Sequence, residues 1–326
     1  MQQLKTELKN TFTSYWHYLA LQKAVQLGVF ECISNGALSL ENIAYCLNLD
    51  KKPLFHLLEF LTEQSYFDKK NAQYALTEKG QILTVAHPES LRNACLLWGQ
   101  EHLVAWQNLD FTLKTGKPSF EYLYEQPFFE HLQNKPEKLQ NYHQAMADYA
   151  RDDYAHLAAC IDFSAHQTVA DVGGGIGVLT HIIAKTNPNT QCILFDLPAV
   201  VQLIAPSQQQ GITIYSGSFF EALPFKTDAI ILSRVLHDWN DEKASEILTN
   251  CKNALKPNGK IYIIEIMQNE TTAHLLSLNM LAMCESFERT FDEYKNLLHR
   301  QNYHIIATKQ LNTLQKILIC QCNIPT

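Results

Sequence analysis

The chain has no surplus of positive charge, no membrane-length apolar run, no CxxC pair and no GK[ST] phosphate loop. Each absence removes a class of function. Its 326 residues carry 26 Lys and Arg against 33 Asp and Glu, a net charge of −7. Neutralising a nucleic-acid backbone takes clustered cations, so no nucleic-acid partner is expected. The opening MQQLKTELKN is too polar for a signal peptide, and no membrane partner is expected. The nine cysteines are scattered and odd in number, which points to reduced thiols and a cytoplasmic location. Cys320 and Cys322 alternate along an expected strand, but no second ligand pair accompanies them. No His/Asp/Glu cluster stands at metal spacing either, so no metal is expected.

What is present is a chain long enough for two cores, with 46% apolar and 18% charged residues. Residues 11–33 are apolar nearly all round a helical wheel, the pattern of a helix buried on several sides or in a subunit interface. In the next stretch Ser39 is positioned as an N-cap, with Asn42 at the third helical position. Leu54, Leu57, Leu58 and Leu61 then follow helical spacing. FDKKNAQYALT reads as a hairpin around Asn71, so residues 1–105 predict a mainly helical winged-helix domain. Its second helix carries only Lys51 and Lys52 at the start and is otherwise rich in Leu and Phe. A recognition helix needs polar and basic side chains facing the groove, so oligomerisation fits this domain better than DNA reading by a regulator. Residues 106–160 are aromatic-rich and helical and predict a bridge that contributes to a substrate pocket.

From residue 161 the pattern alternates strand and helix, which predicts a doubly wound α/β sheet. TVADVGG, CILFDLP, ITIYSG, AIILSRVL and KIYIIEIM are the expected strands, the last entered through a KPNG turn. YHIIATKQL and QKILICQC close the chain as a hairpin. The strongest chemical signal is VADVGGGIGVLTH, a strand, glycine loop and helix start in one unit. Glycines let a backbone approach a ligand, and loop amides at a helix N-terminus favour an electronegative group. Asp196 lies about 25 residues on, where an acid can bind ribose hydroxyls. GxGxxG fails because its last glycine would fall on Val178, whereas GxGxG fits Gly173, Gly175 and Gly177.

At this point the sequence resembles the class I S-adenosylmethionine (SAM) dependent methyltransferases. More specifically, it resembles the small-molecule O-methyltransferases with an N-terminal winged-helix dimerisation domain. DVGGGIG (171–177), FDLP, RVLHDWND, the Glu of IIEIM and the ERT after LNML stand in the family's order, and QKAVQLGVF and YALTEKG also fit. The resemblance implies a Rossmann-like seven-stranded domain over 161–326 with its last strand antiparallel, and a homodimer through the N-terminal domain. It implies that Gly173, Gly174, Gly175 and Asp196 hold SAM, with Gly217, Ser218 and Phe219 near the adenine and Arg234 touching the cofactor. Met146, Asp238 and Met280 would face the acceptor, and His237, Glu265 and Glu288 would be catalytic. The chain departs from the family twice. GSFF puts Ser218 where an acid normally meets the adenine amino group, and CESF stands where bacterial relatives carry glycines.

His237 follows the fourth strand at the carboxyl edge of the sheet, where ligands of open α/β sheets bind. An imidazole is available as a base near neutral pH, and a phenol at about 10 is closer to it in pKa than an aliphatic alcohol. The expected activity is therefore methyl transfer from SAM to a phenolic or enolic hydroxyl of a small molecule, with Glu265 and Glu288 orienting the imidazole. The alternative is a SAM-binding relative that hydroxylates, decarboxylates or runs a pericyclic reaction. Asp238 or Asn240 caps the following helix on either reading.

Overall fold

A computed structural model describes residues 1–269 and 273–322. The chain divides into two compact units, Met1–Glu101 and His102–Thr326.

The first unit carries helices α1 (Gln2–Gln26), α2 (Val29–Ile33), α3 (Leu40–Leu47) and α4 (Lys51–Glu63). A three-stranded sheet joins β1 (Leu38–Ser39), β3 (Gln73–Leu76) and β2 (Phe67–Lys70), in the order β1-β3-β2. This is the expected winged helix. Ser39 caps α3 by accepting from the Asn42 amide. Leu54, Leu58 and Leu61 bury the inner face of α4. The hairpin reverses at Asn71 and Ala72, both with positive φ. The expected helix over 11–33 is longer and broken. It starts at Gln2 and stops at Gln26, and Gly28 takes φ +80° in the left-handed region. Of α1 only Gln22, Ala24 and Val25 are buried, while Leu4, Leu8, Phe12, Tyr15 and Trp16 are exposed.

The second unit is built on a seven-stranded sheet. Its strands are β4 (Thr168–Val172), β5 (Gln191–Asp196), β6 (Ile212–Ser216), β7 (Thr227–Ser233), β8 (Leu255–Ile266), β9 (Tyr303–Gln310) and β10 (Gln315–Cys322), in the order β6-β5-β4-β7-β8-β10-β9. β4 to β8 pair in parallel, and β10 runs antiparallel to both β8 and β9. The central strands bury both faces, which is why they read as unbroken apolar runs. Ile230, Leu232, Ile261 and Ile263 pack on one face; Ala229, Ile231, Tyr262 and Ile264 pack on the other. The chain leaves β4 towards β5 and β6, then crosses to β7 and β8 on its other side. The topological switch, and with it the ligand crevice, therefore falls at the carboxyl ends of β4 and β7.

Two expected boundaries moved. KPNG is absorbed at the start of β8 as a register shift, with Asn258 at φ 61°. The fourth strand was expected to run through Leu236 but ends at Ser233. Arg234 there takes φ 56°, and the next two amides turn away to a carboxylate.

Candidate active site

The glycine loop leaves β4 with Gly173, Gly175 and Gly177 at φ 75°, 60° and 87°. A methyl group on Gly173 would come within 2.8 Å of Val235 Cγ2, and one on Gly174 within 2.8 Å of Asp171. The loop is thus a cradle that side chains would fill. Asp171 anchors its base by accepting from Thr180 Oγ1 at 2.7 Å, and burial pushes its carboxyl up to about 7. Asp196 ends β5. Its two oxygens accept from the Gly175 and Leu197 amides, each at 2.7 Å, and desolvation raises its pKa to about 6. Each oxygen keeps a lone pair for a hydroxyl donor.

Gly217 follows β6 and donates its amide to the Asp196 carbonyl at 3.1 Å. Ser218 Oγ accepts from the Phe220 amide at 3.2 Å, and the Phe219 ring reaches towards Gly173. Residues 217–219 therefore line the crevice beside the loop. A part-buried carboxylate, a glycine cradle and a neighbouring aromatic ring form a donor and acceptor set that fits a nucleoside.

The segment after β7 brings the reactive groups together. Glu265, wholly buried near the end of β8, accepts from the Val235 and Leu236 amides at 3.1 and 3.0 Å. It holds the backbone that carries His237, not the ring that sequence reasoning assigned to it. Glu288 takes the ring: its Oε1 accepts from His237 Nδ1 at 2.9 Å and from Arg234 Nη1 at 3.2 Å. A carboxylate only accepts, so this bond fixes the proton on Nδ1 and leaves Nε2 for chemistry. Nε2 lies 3.6 Å from Asp238 Oδ1. Burial and Arg234 depress the His237 pKa, but Asp238, Glu288 and Glu265 outweigh them and carry it up to about 9. His237 holds Glu288 below the usual carboxylate range against the opposing burial, whereas burial lifts Glu265 to about 7. The imidazole is consequently a stronger base than the free side chain, and it rests protonated at neutral pH.

His237, Glu265 and Glu288 each offer an atom within 4.8 Å of the others, the spacing of a metal-ligand set. The sequence hid this because the three come from distant segments. Arg234 already sets its guanidinium 3.2 Å from Glu288 and 4.0 Å from Glu265. The positive charge between the carboxylates is supplied, and the set fits an ion-pair network rather than a metal centre.

Asp238 faces a cleft that is also lined by Phe129, Trp239, Met283, Cys284 and Glu285. Met283 is the methionine that lines it. Met280 is buried on the helix His274–Met283, and Met146 is half-buried on the helix Pro136–Asp153. Trp239 stacks on Phe129 with ring centroids 5.8 Å apart, and Asn240 caps the next helix by accepting from the Lys243 amide.

Sequence reasoning missed four supporting residues. His143 sits over the glycine loop, where a methyl on Gly175 would lie 3.4 Å from its Nδ1. Burial lowers its pKa to about 4, so it stays uncharged at neutral pH. Tyr142 packs edge-on against Phe128 and Phe129. Ser277 Oγ accepts from the Glu288 amide at 3.2 Å. Arg289, 1% exposed, donates to the Leu236 and Trp239 carbonyls at 2.7 Å each. The first two lie in the expected helical bridge, but no motif marks them as neighbours of a ligand loop.

Comparison with known proteins agrees with this geometry. Residues 106–304 match the O-methyltransferase domain, and residues 10–86 match the O-methyltransferase dimerisation domain. The acetylserotonin O-methyltransferase of Bos taurus is 32% identical, over 84% of this chain and 85% of its own. The phenazine O-methyltransferase PhzM of Lysobacter antibioticus is 29% identical, over 90% and 89%. The crystal structure of LaPhzM superposes with a TM-score of 0.94 at 27% identity, covering 98% of this chain and 99% of that one. An O-methyltransferase from neocarzinostatin biosynthesis, solved with S-adenosyl-L-homocysteine and 1,4-dihydroxy-2-naphthoic acid, gives a TM-score of 0.81 at 26% identity. It covers 94% of this chain and 95% of its own. The chain belongs to the O-methyltransferase family and is a SAM-dependent enzyme that methylates a hydroxyl group of a small molecule.

Proposed function

We propose that the acceptor is a phenolic or enolic hydroxyl of a small aromatic compound and that His237 is the general base. The observation that carries this reading is the 2.9 Å bond from His237 Nδ1 to buried Glu288, which turns Nε2 to within 3.6 Å of Asp238, a residue that lines the cleft. SAM supplies an activated methyl group next to a sulfonium charge. The protein's part is to hold an oxygen in line with that methyl and to take its proton. With its pKa raised to about 9, the imidazole approaches a phenol at about 10, so proton transfer is nearly balanced. An aliphatic alcohol lies too far above it.

Gly173, Gly174, Gly175, Asp196, Gly217, Ser218 and Phe219 would hold the cofactor, with Arg234 close to it and balancing Glu265 and Glu288. Glu288 orients and charges the base, and Glu265 fixes the loop. Asp238 and the Phe129–Trp239 stack fit an aromatic acceptor with a polar edge. Relatives support the acceptor class: one is named for 3-amino-4-hydroxybenzoate, at 30% identity, and another for acetylserotonin.

Residues 1–105 act as the homodimerisation domain, 106–160 as the bridge that shapes the pocket and 161–326 as the cofactor domain, in a cytoplasmic enzyme without a nucleic-acid partner. The exposed apolar residues of α1 fit a surface that a second copy covers. Sedimentation of Trp16→Asp should show a shift to monomer, and an unchanged dimer would remove α1 from the interface. The acceptor is tested with SAM carrying a heavy-isotope methyl in an extract of the source cells. A labelled small molecule made by the wild type and lost with His237→Ala supports both parts of the reading. Equal labelling with both proteins removes His237 from the chemistry.

A further inference from the structure

The cleft beside His237 carries an imbalance of charge that methyl transfer itself does not need. Glu121 reaches it from the helix Ser119–Tyr124, Asp238 from the segment after β7, and Glu285 from the turn after the helix His274–Met283. Lys243, on the helix Asp241–Ala254, is the one cation among the described residues that line it. Glu121 and Glu285 are in no ion pair among the described residues. Lys243 turns to an aromatic face instead, its Nζ 5.0 Å from the Trp239 ring centroid. Burial and then Glu285 raise the proton affinity of Glu121, with Lys243 opposing them. Asp238 lies 3.6 Å from His237 Nε2, and Arg234 is already tied to Glu288. Asp238 is therefore balanced only while the imidazole holds a proton. In the form that can accept one, the ring is neutral and three carboxylates face one ammonium.

We propose that the cleft selects an acceptor that carries a positive charge: a phenol whose far end is a protonated amine, held by Glu121 and Glu285 while its hydroxyl meets His237. This selection rests on the acceptor reading above and adds a charge to it. The aromatic wall suits the same ligand. Trp239 stacks on Phe129 with ring centroids 5.8 Å apart, and the ammonium of Lys243 already rests over the Trp239 ring, so the wall attracts cations. A phenol that ends in a carboxylate would meet three like charges, with only Lys243 to pair with, and like-charge contacts are costly in a partly desolvated site. Selectivity therefore comes from repelling acids as much as from attracting amines.

The test uses the intact enzyme saturated with S-adenosyl-L-homocysteine and three catechols that differ only in the end of a two-carbon side chain: dopamine (ammonium), hydroxytyrosol (hydroxyl) and dihydrocaffeate (carboxylate). Calorimetry at neutral pH should give dopamine the tightest binding, at least about tenfold over dihydrocaffeate, with hydroxytyrosol between them. Glu121→Gln combined with Glu285→Gln should close most of that gap, and Lys243→Met should widen it. Equal affinities, a preference for the carboxylate, no binding of any catechol, or a gap that the glutamate variants leave unchanged would each overturn the proposal. Methyl transfer from labelled SAM to the same compounds is read separately. If dopamine binds preferentially but is methylated no faster by the wild type than by His237→Ala, the charge selection stands and the general base falls. If binding shows no preference, and the wild type methylates all three while His237→Ala methylates none, the base stands and the charge selection falls.

Discussion

Glu288 and His237 are buried together, Oε1 to Nδ1 at 2.9 Å, and the same oxygen meets Arg234 Nη1 at 3.2 Å. One carboxylate therefore sets the tautomer of the base, raises its proton affinity and is itself tied to a cation. Glu288→Gln keeps the shape but removes the charge, and its amide can donate to Nδ1 and so favour the wrong tautomer. We expect kcat to fall by about 10²–10⁴-fold, the range found for groups that orient a catalytic imidazole. SAM affinity by calorimetry should stay within a few-fold. A kcat near wild type would mean that Glu288 is only a packing residue.

The pH profile carries a sign that can be checked. A base works unprotonated, so activity is low below its pKa and rises as pH climbs through it. An ordinary histidine would inflect near 6.5; His237, with Asp238, Glu288 and Glu265 outweighing burial and Arg234, inflects near about 9. The profile of kcat/KM for the acceptor, measured at low SAM, should rise across pH 7–9. With saturating SAM a further cation shares the site and disfavours the imidazolium, so the kcat inflection should fall at lower pH. A flat profile over this range, with the wild type stable throughout, would exclude His237 as the base.

The fold was legible because two periodicities carry it: apolar strands alternating with amphipathic helices after residue 161, and helical leucine spacing with a hairpin before it. Ser39, Asn71 and the closing antiparallel strand lie where local chemistry places them. What the sequence hid depends on non-local partners. Val235 and Leu236 look like strand, yet Glu265, thirty and twenty-nine residues away, captures their amides and ends β7 early. The base was visible as a histidine after a strand, but its raised proton affinity was not. That property comes from three carboxylates on three segments. His143 and Tyr142 lie in the expected helical bridge and become neighbours of the site only through the packing of their helix.

Ser218 stands where the family resemblance expects an acid against the adenine amino group. Its hydroxyl already serves the turn, accepting from the Phe220 amide at 3.2 Å. A hydroxyl committed to the backbone is a poor acceptor for a ligand. Ser218→Asp should add a charge-assisted hydrogen bond of about 1 kcal/mol and tighten SAM binding roughly fivefold. Unchanged affinity would show that the adenine does not lie over this residue.

Gly173 meets two constraints at once, and they can be separated. Its φ of 75° disfavours any L side chain, and a methyl would reach 2.8 Å from Val235 Cγ2. Gly173→Ala should therefore weaken SAM binding by at least about fivefold, since strain of this kind costs about 1–2 kcal/mol before any clash. Val235→Ala removes the colliding methyl groups but not the backbone strain. If the clash dominates, the double variant regains most of the affinity lost in Gly173→Ala. If the left-handed backbone dominates, it regains little. Wild-type affinity in Gly173→Ala itself would place the cofactor elsewhere than on this loop, and the binding residues proposed along β4 would fall with it.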